Sequence, residues 1–272
     1  MTHGTTKRGV RYVTQPDVAL ACRPHPRTLQ LLSAMADEHG EFLHALEDFE
    51  TNGSDGPEEY LQFAGQLCYM ALAKNRTPFA ENEKYLKNIM AQAHGSVLEH
   101  INYGFLILGI DRATTHELVR HRTGMAYSQV SQRYVDSDYL RFVCPVEDQT
   151  SPEALEDFEA DIDVNYDQYV RRIDKLMTRI PRAEGESARD YRKRIQGSAR
   201  SVLGNYVEAP ILTTGNVRAW RHVLEMRCSP HADVRIRRPM MQILCILREE
   251  CPTLFGDFEI NGDTAVPTYH KV

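Results

Sequence analysis

Arg120-His121-Arg122-Thr123-Gly124-Met125-Ala126-Tyr127-Ser128-Gln129-Val130-Ser131-Gln132-Arg133-Tyr134 is the stretch on which the reading of this chain turns. Three large cationic or titratable residues in a row at a helix end point about 100° apart, so they cannot serve one flat surface. They can, however, surround a ligand that carries several anionic groups. The preference of Arg and His for helix C-termini explains the same residues without any ligand, and on this stretch alone both readings stand. From Ser128 to Val135 the chain reads as extended, which puts Gln129, Ser131 and Arg133 on one face by the two-residue period. An amide, a hydroxyl and a guanidinium on one face form a cradle for a nucleotide's phosphate and base.

Working outward, Asp111 to Arg122 reads as a helix stopped by Gly124, and His100 to Ile110 as a strand of β-branched, aromatic and aliphatic residues. Upstream, Val10 to Ala21 includes β-type residues, and Pro24 and Pro26 precede an amphipathic helix from Arg27 to Glu50. The run Thr51 to Pro57 is a loop, with Pro57 opening a helix that ends near Asn75, and a further helix spans Glu81 to His94. Downstream, Tyr139 to Val143 is extended, Glu153 to Ile180 a long polar helix and Glu186 to Leu203 another. Ile211 to Thr214 is β-rich, and helices follow at Asn216 to Arg227 and Ala232 to Glu250. With no long linker and no repeat, one α+β domain over residues 1–272 is expected, a mixed β-sheet flanked by long helices.

Composition narrows the function classes. A chain of 272 residues suits one or two domains and buries about three quarters of its unfolded surface. Apolar runs such as Phe105 to Leu108 fall far short of a bilayer span, and the N-terminus lacks a signal-like apolar stretch, so the chain reads as soluble and cytoplasmic. A net charge of −6 argues against a nucleic-acid binder that works through a basic surface. Of the 32 basic residues 25 are Arg, fifteen of them between Arg171 and Arg248, which reflects either compositional bias or many bidentate anion contacts. The six cysteines show no paired spacing and read as reduced core residues, with no metal site. His116 and His121 are five apart, about 140° around a helix, which fails the four-residue spacing of a zinc-protease pair.

Two further clusters stand out. Asn216 is a good N-cap, and Arg218 and His222 are four apart near the positive end of the helix it opens, where phosphate binds well. Arg221, and with it Arg237 and Arg238, reads as a solvated helix arginine, whereas Arg200 lies among the small residues Ser198, Ala199 and Ser201. In His94-Gly95-Ser96-Val97-Leu98-Glu99-His100, Ser96 and Glu99 have the spacing of a capping box, a purely local role that stays open beside a binding one.

Taken together these stretches resemble the flavin-dependent thymidylate synthases. That family's signature is RHR, seven or eight residues, then Ser; here Arg120-His121-Arg122 is followed by eight residues and Ser131. HGSVLEH at His94 to His100 and the spaced Asn216, Arg218, His222, Arg227 and His231 extend the likeness from about residue 62 to residue 251. The resemblance implies a homotetramer with active sites between subunits, using FAD, NADPH and methylenetetrahydrofolate to convert dUMP to dTMP. It would put Ser96, Arg120, His121, Arg122, Gln129, Asn216, Val217, Arg218 and His222 around FAD. The dUMP site would take Glu117, Leu118, Val119, Arg120, Gln129, Val130, Ser131, Gln132, Arg133, Arg200 and Arg227.

Within that implied site Arg227 is the catalytic candidate, because a guanidinium beside uracil can stabilise the ring deprotonated at N3 and raise the nucleophilicity of C5. Ser131 has no base nearby in sequence, so it reads as a binding residue. Three departures from the pattern are visible. Glu117 stands where Gln is common, Arg235 where an acid is frequent, and Thr123-Gly124-Met125 lacks a Ser. A carboxylate beside a nucleotide phosphate repels it unless an Arg intervenes. The first two departures leave room for a non-catalytic nucleotide- or flavin-binding regulatory protein on the same scaffold.

Overall fold

The computed structural model describes residues 3–27, 56–69, 81–135 and 139–272. The expected helix over residues 27–50 and the loop after it therefore lie almost wholly outside the described residues. Strands β1 (His3–Thr5) and β2 (Arg11–Val13) form an antiparallel pair, and β3 (Asp17–Cys22) follows. Helix α1 (Pro57–Leu67) has its Pro in the first turn and Glu58 and Glu59 at its positive end. Helix α2 (Asn82–Ala91) and a 3₁₀ turn (Gly95–Glu99) lead into β4 (Asn102–Leu108).

Side-chain caps then set the helix starts. Asp111 accepts the Thr114 N–H at 2.7 Å to open α3 (Arg112–Leu118), and β5 (Met125–Gln129) and β6 (Arg141–Val143) follow. Ser151 caps the 28-residue α4 (Pro152–Arg179), and Ser187 caps α5 (Ala188–Ala199). After β7 (Ile211–Asn216), Asn216 accepts the Ala219 N–H at 2.8 Å to start α6 (Val217–Arg227). Asp233 does the same for α7 (Val234–Glu250), and the chain finishes with the short α8 (Pro252–Phe255) and a hairpin of β8 (Phe258–Asn261) and β9 (Thr264–Pro267).

The α+β class stands, with the strands distributed over three small sheets. A four-stranded antiparallel sheet runs β3-β4-β7-β5, and the mixed pairing is confined to β1-β2-β6, where β2 and β6 are parallel. In β4 the residues Tyr103, Phe105 and Ile107 are buried while Leu106 is exposed, and in β7 Ile211 and Thr213 are buried while Leu212 is exposed. The sheet is thus one-sided, and α6 lies on its apolar face. There Trp220 meets Phe105 edge-on at 5.1 Å and donates its indole N–H to the Tyr103 carbonyl at 3.0 Å. Fully burying side chains of this size contributes roughly 1.5–3 kcal/mol each, which fixes the helix that carries much of the site. A second core, with Phe142, Phe158 and Val207, joins the three-stranded sheet to α4.

Several expectations need correction. The helix read as Asp111 to Arg122 ends at Leu118, and the extended reading of Ser128 to Val135 holds only to Gln129, after which residues 132–134 turn. Ser131 and Arg133 therefore do not share a strand face with Gln129. Ser96 makes no capping bond, since the 3₁₀ turn begins at Gly95 and Glu99 pairs with Arg218 instead. Cys144, Cys228 and Cys251 are buried free thiols, but Cys22, Cys68 and Cys245 are exposed. The C-terminal hairpin was not anticipated, although Asn261-Gly262 between two short alternating segments is its turn signal.

Candidate active site

The centre of the site is made by the early end of α3. The His121 N–H donates back to the Leu118 carbonyl at 3.1 Å, and the Tyr127 hydroxyl on β5 shares its proton between the carbonyls of Leu118, at 2.9 Å, and His121, at 2.6 Å. Gln129, two residues on along the same strand, donates its amide to Thr115 Oγ1 at 2.9 Å. Burial pushes the Tyr127 phenol up to about 12, so it stays a donor. The loop between α3 and β5 then bends at Gly124, whose φ of +71° suits glycine and whose added Cβ would lie 2.7 Å from Asn216 Nδ2. The Asn216 N–H donates to the Gly124 carbonyl at 3.1 Å, which ties the Arg-His-Arg loop to the start of α6.

The two elements meet in a compact cationic cluster. Arg227 donates from Nε to His121 Nε2 at 2.9 Å and from Nη1 to Glu117 Oε2 at 2.6 Å. The His121 and His222 rings lie 5.5 Å apart at a steep angle. Burial, then the Arg227 charge, then His222 push His121 down to about 4, so it is neutral near pH 7 with Nε2 as the acceptor and its proton on Nδ1. Arg120, His121, Arg122, Met125, Ala219 and His222 line a cavity of about 290 Å³ at this point. Arg120 and Arg122 form no ion pair with any described residue, so their donors are open to an anion. Beside them Arg218 pairs with Glu99 at 2.6 Å across Gly95, where a Cβ would lie 2.6 Å from the guanidinium Nε, and Ser96 is exposed on the same turn.

The remaining sequence-derived residues gather elsewhere. The Val130 N–H donates to the Pro210 carbonyl at 2.9 Å, and the chain then turns, with the Arg133 N–H on Ser131 Oγ at 3.3 Å. Arg133 passes Gly197 of α5, and Lys193 of the same helix sits over the Tyr134 ring at 4.7 Å. Val130, Gln132, Tyr134, Arg141 and Glu208 border a second cavity of about 580 Å³. The Gln132 Nε2 is buried with no acceptor among the described residues. Arg200, exposed just past α5, acts on Arg112, whose guanidinium is lowered first by burial and then by that like charge. One chain thus presents residues 117–122 with α6 at one place and residues 130–133 beside α5 at another, with Arg200 near Arg112.

Some functional geometry was not anticipated. Tyr127 is the latch that shapes the Arg-His-Arg loop; its alternation with Met125 and Gln129 on β5 was the available signal. Arg221, expected to be solvated, is 2 % exposed and bonded to Asp257 at 2.7 and 3.0 Å. Arg237 is likewise mostly buried and bonded to Asp263 at 2.8 Å. Arg235 approaches both Asp111 and Asp233 at 3.5 Å.

Residues 51–253 match the family model described as thymidylate synthase complementing protein. The flavin-dependent thymidylate synthase of Mycobacteroides abscessus is 41% identical over 213 residues, covering 78% of this chain and 84% of that protein. The one from Mycobacterium marinum is 41% identical over 220 residues, covering 81% and 87%. Among solved structures, that of a UMP/dUMP methylase, PolB, from Streptomyces cacaoi bound with 5-Br UMP aligns with a TM-score of 0.60 at 15% identity. It covers 91% of this chain and 95% of the other, a likeness of fold.

Proposed function

This chain belongs to the flavin-dependent thymidylate synthase family, and from that premise we propose that it reductively methylates dUMP to dTMP, with FAD as cofactor, methylenetetrahydrofolate as carbon donor and NADPH as reductant. In balance, dUMP, methylenetetrahydrofolate, NADPH and a proton give dTMP, tetrahydrofolate and NADP⁺. The observation that carries the reading is the cluster where the loop after α3 meets α6: Arg120 and Arg122 line a cavity with Ala219 and His222 and have no carboxylate partners among the described residues, and Arg227, at the far end of α6, stands beside a neutral His121. Open guanidiniums near a helix N-terminus fit the phosphates of a dinucleotide.

Under this reading Ser96, Arg120, His121, Arg122, Gln129, Asn216, Val217, Arg218 and His222 hold FAD, which when bound supplies the redox chemistry. Arg227 faces the uracil and stabilises negative charge at N3, which raises electron density at C5. Glu117, Leu118, Val119 and Arg120 complete that side. Val130, Ser131, Gln132, Arg133 and Arg200 bind the nucleotide, with the two arginines on its phosphate. Because Arg120 borders one cavity of the chain and Val130 and Gln132 another, the reading includes a homotetramer whose sites join residues from different copies. Among the described residues no helix is long and apolar enough to cross a membrane, and a soluble enzyme of the cytoplasm is part of the same proposal. The ion pair between Glu117 and Arg227 answers the objection that a carboxylate here would repel the nucleotide.

The test is incubation of purified, FAD-loaded protein with dUMP, methylenetetrahydrofolate and NADPH, with dTMP followed by chromatography. Turnover is expected, and Arg227→Ala should keep the flavin absorbance while turnover drops on the order of 100-fold or more. Absence of dTMP from folded, yellow wild-type protein would sink the reading, and light scattering that returns a monomer would remove the tetramer from it.

A further inference from the structure

The five donors of a guanidinium form a fixed planar fork, so acceptors on two of its nitrogens determine where the remaining donors point. In Arg227 those acceptors are His121 Nε2, on Nε at 2.9 Å, and Glu117 Oε2, on Nη1 at 2.6 Å. Nη2 has no acceptor among the described residues. Both acceptors come from one short segment, the last turn of α3 and the loop after it. That segment is pinned by the Tyr127 hydroxyl on the Leu118 and His121 carbonyls. The Arg227 and Glu117 side chains are 20 % and 36 % exposed, so the pair is shielded without being sealed. Its value therefore lies in orientation more than in stability.

We propose that Glu117 is a positioning residue for Arg227: its carboxylate, with neutral His121, aims the guanidinium so that Nη2 meets the anionic edge of a pyrimidine nucleotide. This rests on the reading of Arg227 as the group that faces uracil. It gives the acid at position 117 a role beyond lining the dUMP site, since its Oε2 holds the arginine. A glutamine side-chain oxygen can accept the same Nη1 bond, whereas alanine frees the fork to rotate.

The test is a double-mutant cycle read by calorimetric titration with dUMP, alongside steady-state kinetics. Glu117→Ala is expected to weaken dUMP binding and lower kcat/KM by on the order of 10- to 100-fold at unchanged flavin content, the loss typical of a misaligned group. Glu117→Gln should recover all but about threefold of that loss, as expected of an acceptor that keeps the Nη1 bond. In an Arg227→Ala background, Glu117→Ala should change dUMP affinity by less than about twofold, because its partner is gone. Additive losses, a Glu117→Gln variant as poor as Glu117→Ala, or no loss in Glu117→Ala would each overturn the proposal. Wild-type protein that fails to bind dUMP at all would instead strike the functional reading beneath it.

Discussion

His121 carries a testable charge state. It faces Arg227 and His222 on α6, Arg120 and Arg122 on its own loop, and Glu117 through the Arg227 bridge. Its folded value, pushed down to about 4, lies below the ordinary 6.5 of the unfolded chain. Above pH 6.5 neither state holds the proton and the native advantage is complete. Between 6.5 and about 4 only the unfolded chain takes it up, so stability falls with pH, and below 4 that loss is finished. Discounted for the partly exposed ring, the loss is about 1–2 kcal/mol. Denaturation of His121→Gln should show a drop between pH 7 and pH 4.5 that is smaller than wild type's by that amount, and parallel pH curves would refute the assignment. Much at this scale was legible, since Arg120, His121, Arg122, His222 and Arg227 do converge. The Glu117 carboxylate was legible only as an anomaly, because its partner is 110 residues away and a sequence does not display that approach.

Helix α6 shows why one face of an element can be read and the other misread. Its exposed face carries Arg218 and His222, its core face carries Trp220, Val223 and Leu224, and Arg227, about 180° around from Arg218, closes its last turn. Arg221 interrupts the apolar pattern and so reads as solvated, yet it is buried with Asp257, the Tyr269 carbonyl at 2.9 Å and the Leu254 carbonyl as acceptors. All three acceptors belong to the C-terminal segment, 33–48 residues on. Local patterns report the period of burial, but not which buried charge will find a distant partner. The expectation of a strand to Val135 failed for a related reason: beyond Gln129 the ladder to β7 runs out at Ile211, and Pro210 has no N–H to extend it. Asp257→Ala leaves the Arg221 guanidinium buried and unpaired, which should cost about 3–5 kcal/mol. The single tryptophan, Trp220, sits one residue away and reports the unfolding directly. A Trp220 fluorescence transition shifted by less than about 1 kcal/mol would show that the clamp carries no weight, since that is the range of a surface pair.

Across the whole molecule, the arginine-rich, acidic balance resolves into two populations. Arg141, Arg194, Arg221, Arg235 and Arg237 are spent on internal carboxylates, whereas Arg120, Arg122, Arg133 and Arg200 form no ion pair with a described residue. Of the internal pairs, Arg141–Glu208 has the widest reach. Glu208 accepts from Arg141 Nε at 2.6 Å and Nη2 at 2.8 Å, and from the Gly109 N–H at 2.8 Å. Arg141 begins β6 of the three-stranded sheet, Gly109 follows β4 of the four-stranded one, and Glu208 itself precedes β7. One nearly buried carboxylate therefore joins the core around Phe105 and Trp220 to the core around Phe142 and Phe158. Removing it in Glu208→Ala strands a guanidinium that is partly exposed, so the expected cost is about 2–4 kcal/mol, below that of a sealed pair. It should also loosen the coupling between the cores. Far-UV circular dichroism, dominated by α4 and its neighbours, should then begin to fall at lower urea than Trp220 fluorescence, whereas the two coincide in wild type. Coincident transitions in the variant would mean that apolar contact alone holds the two sheets together.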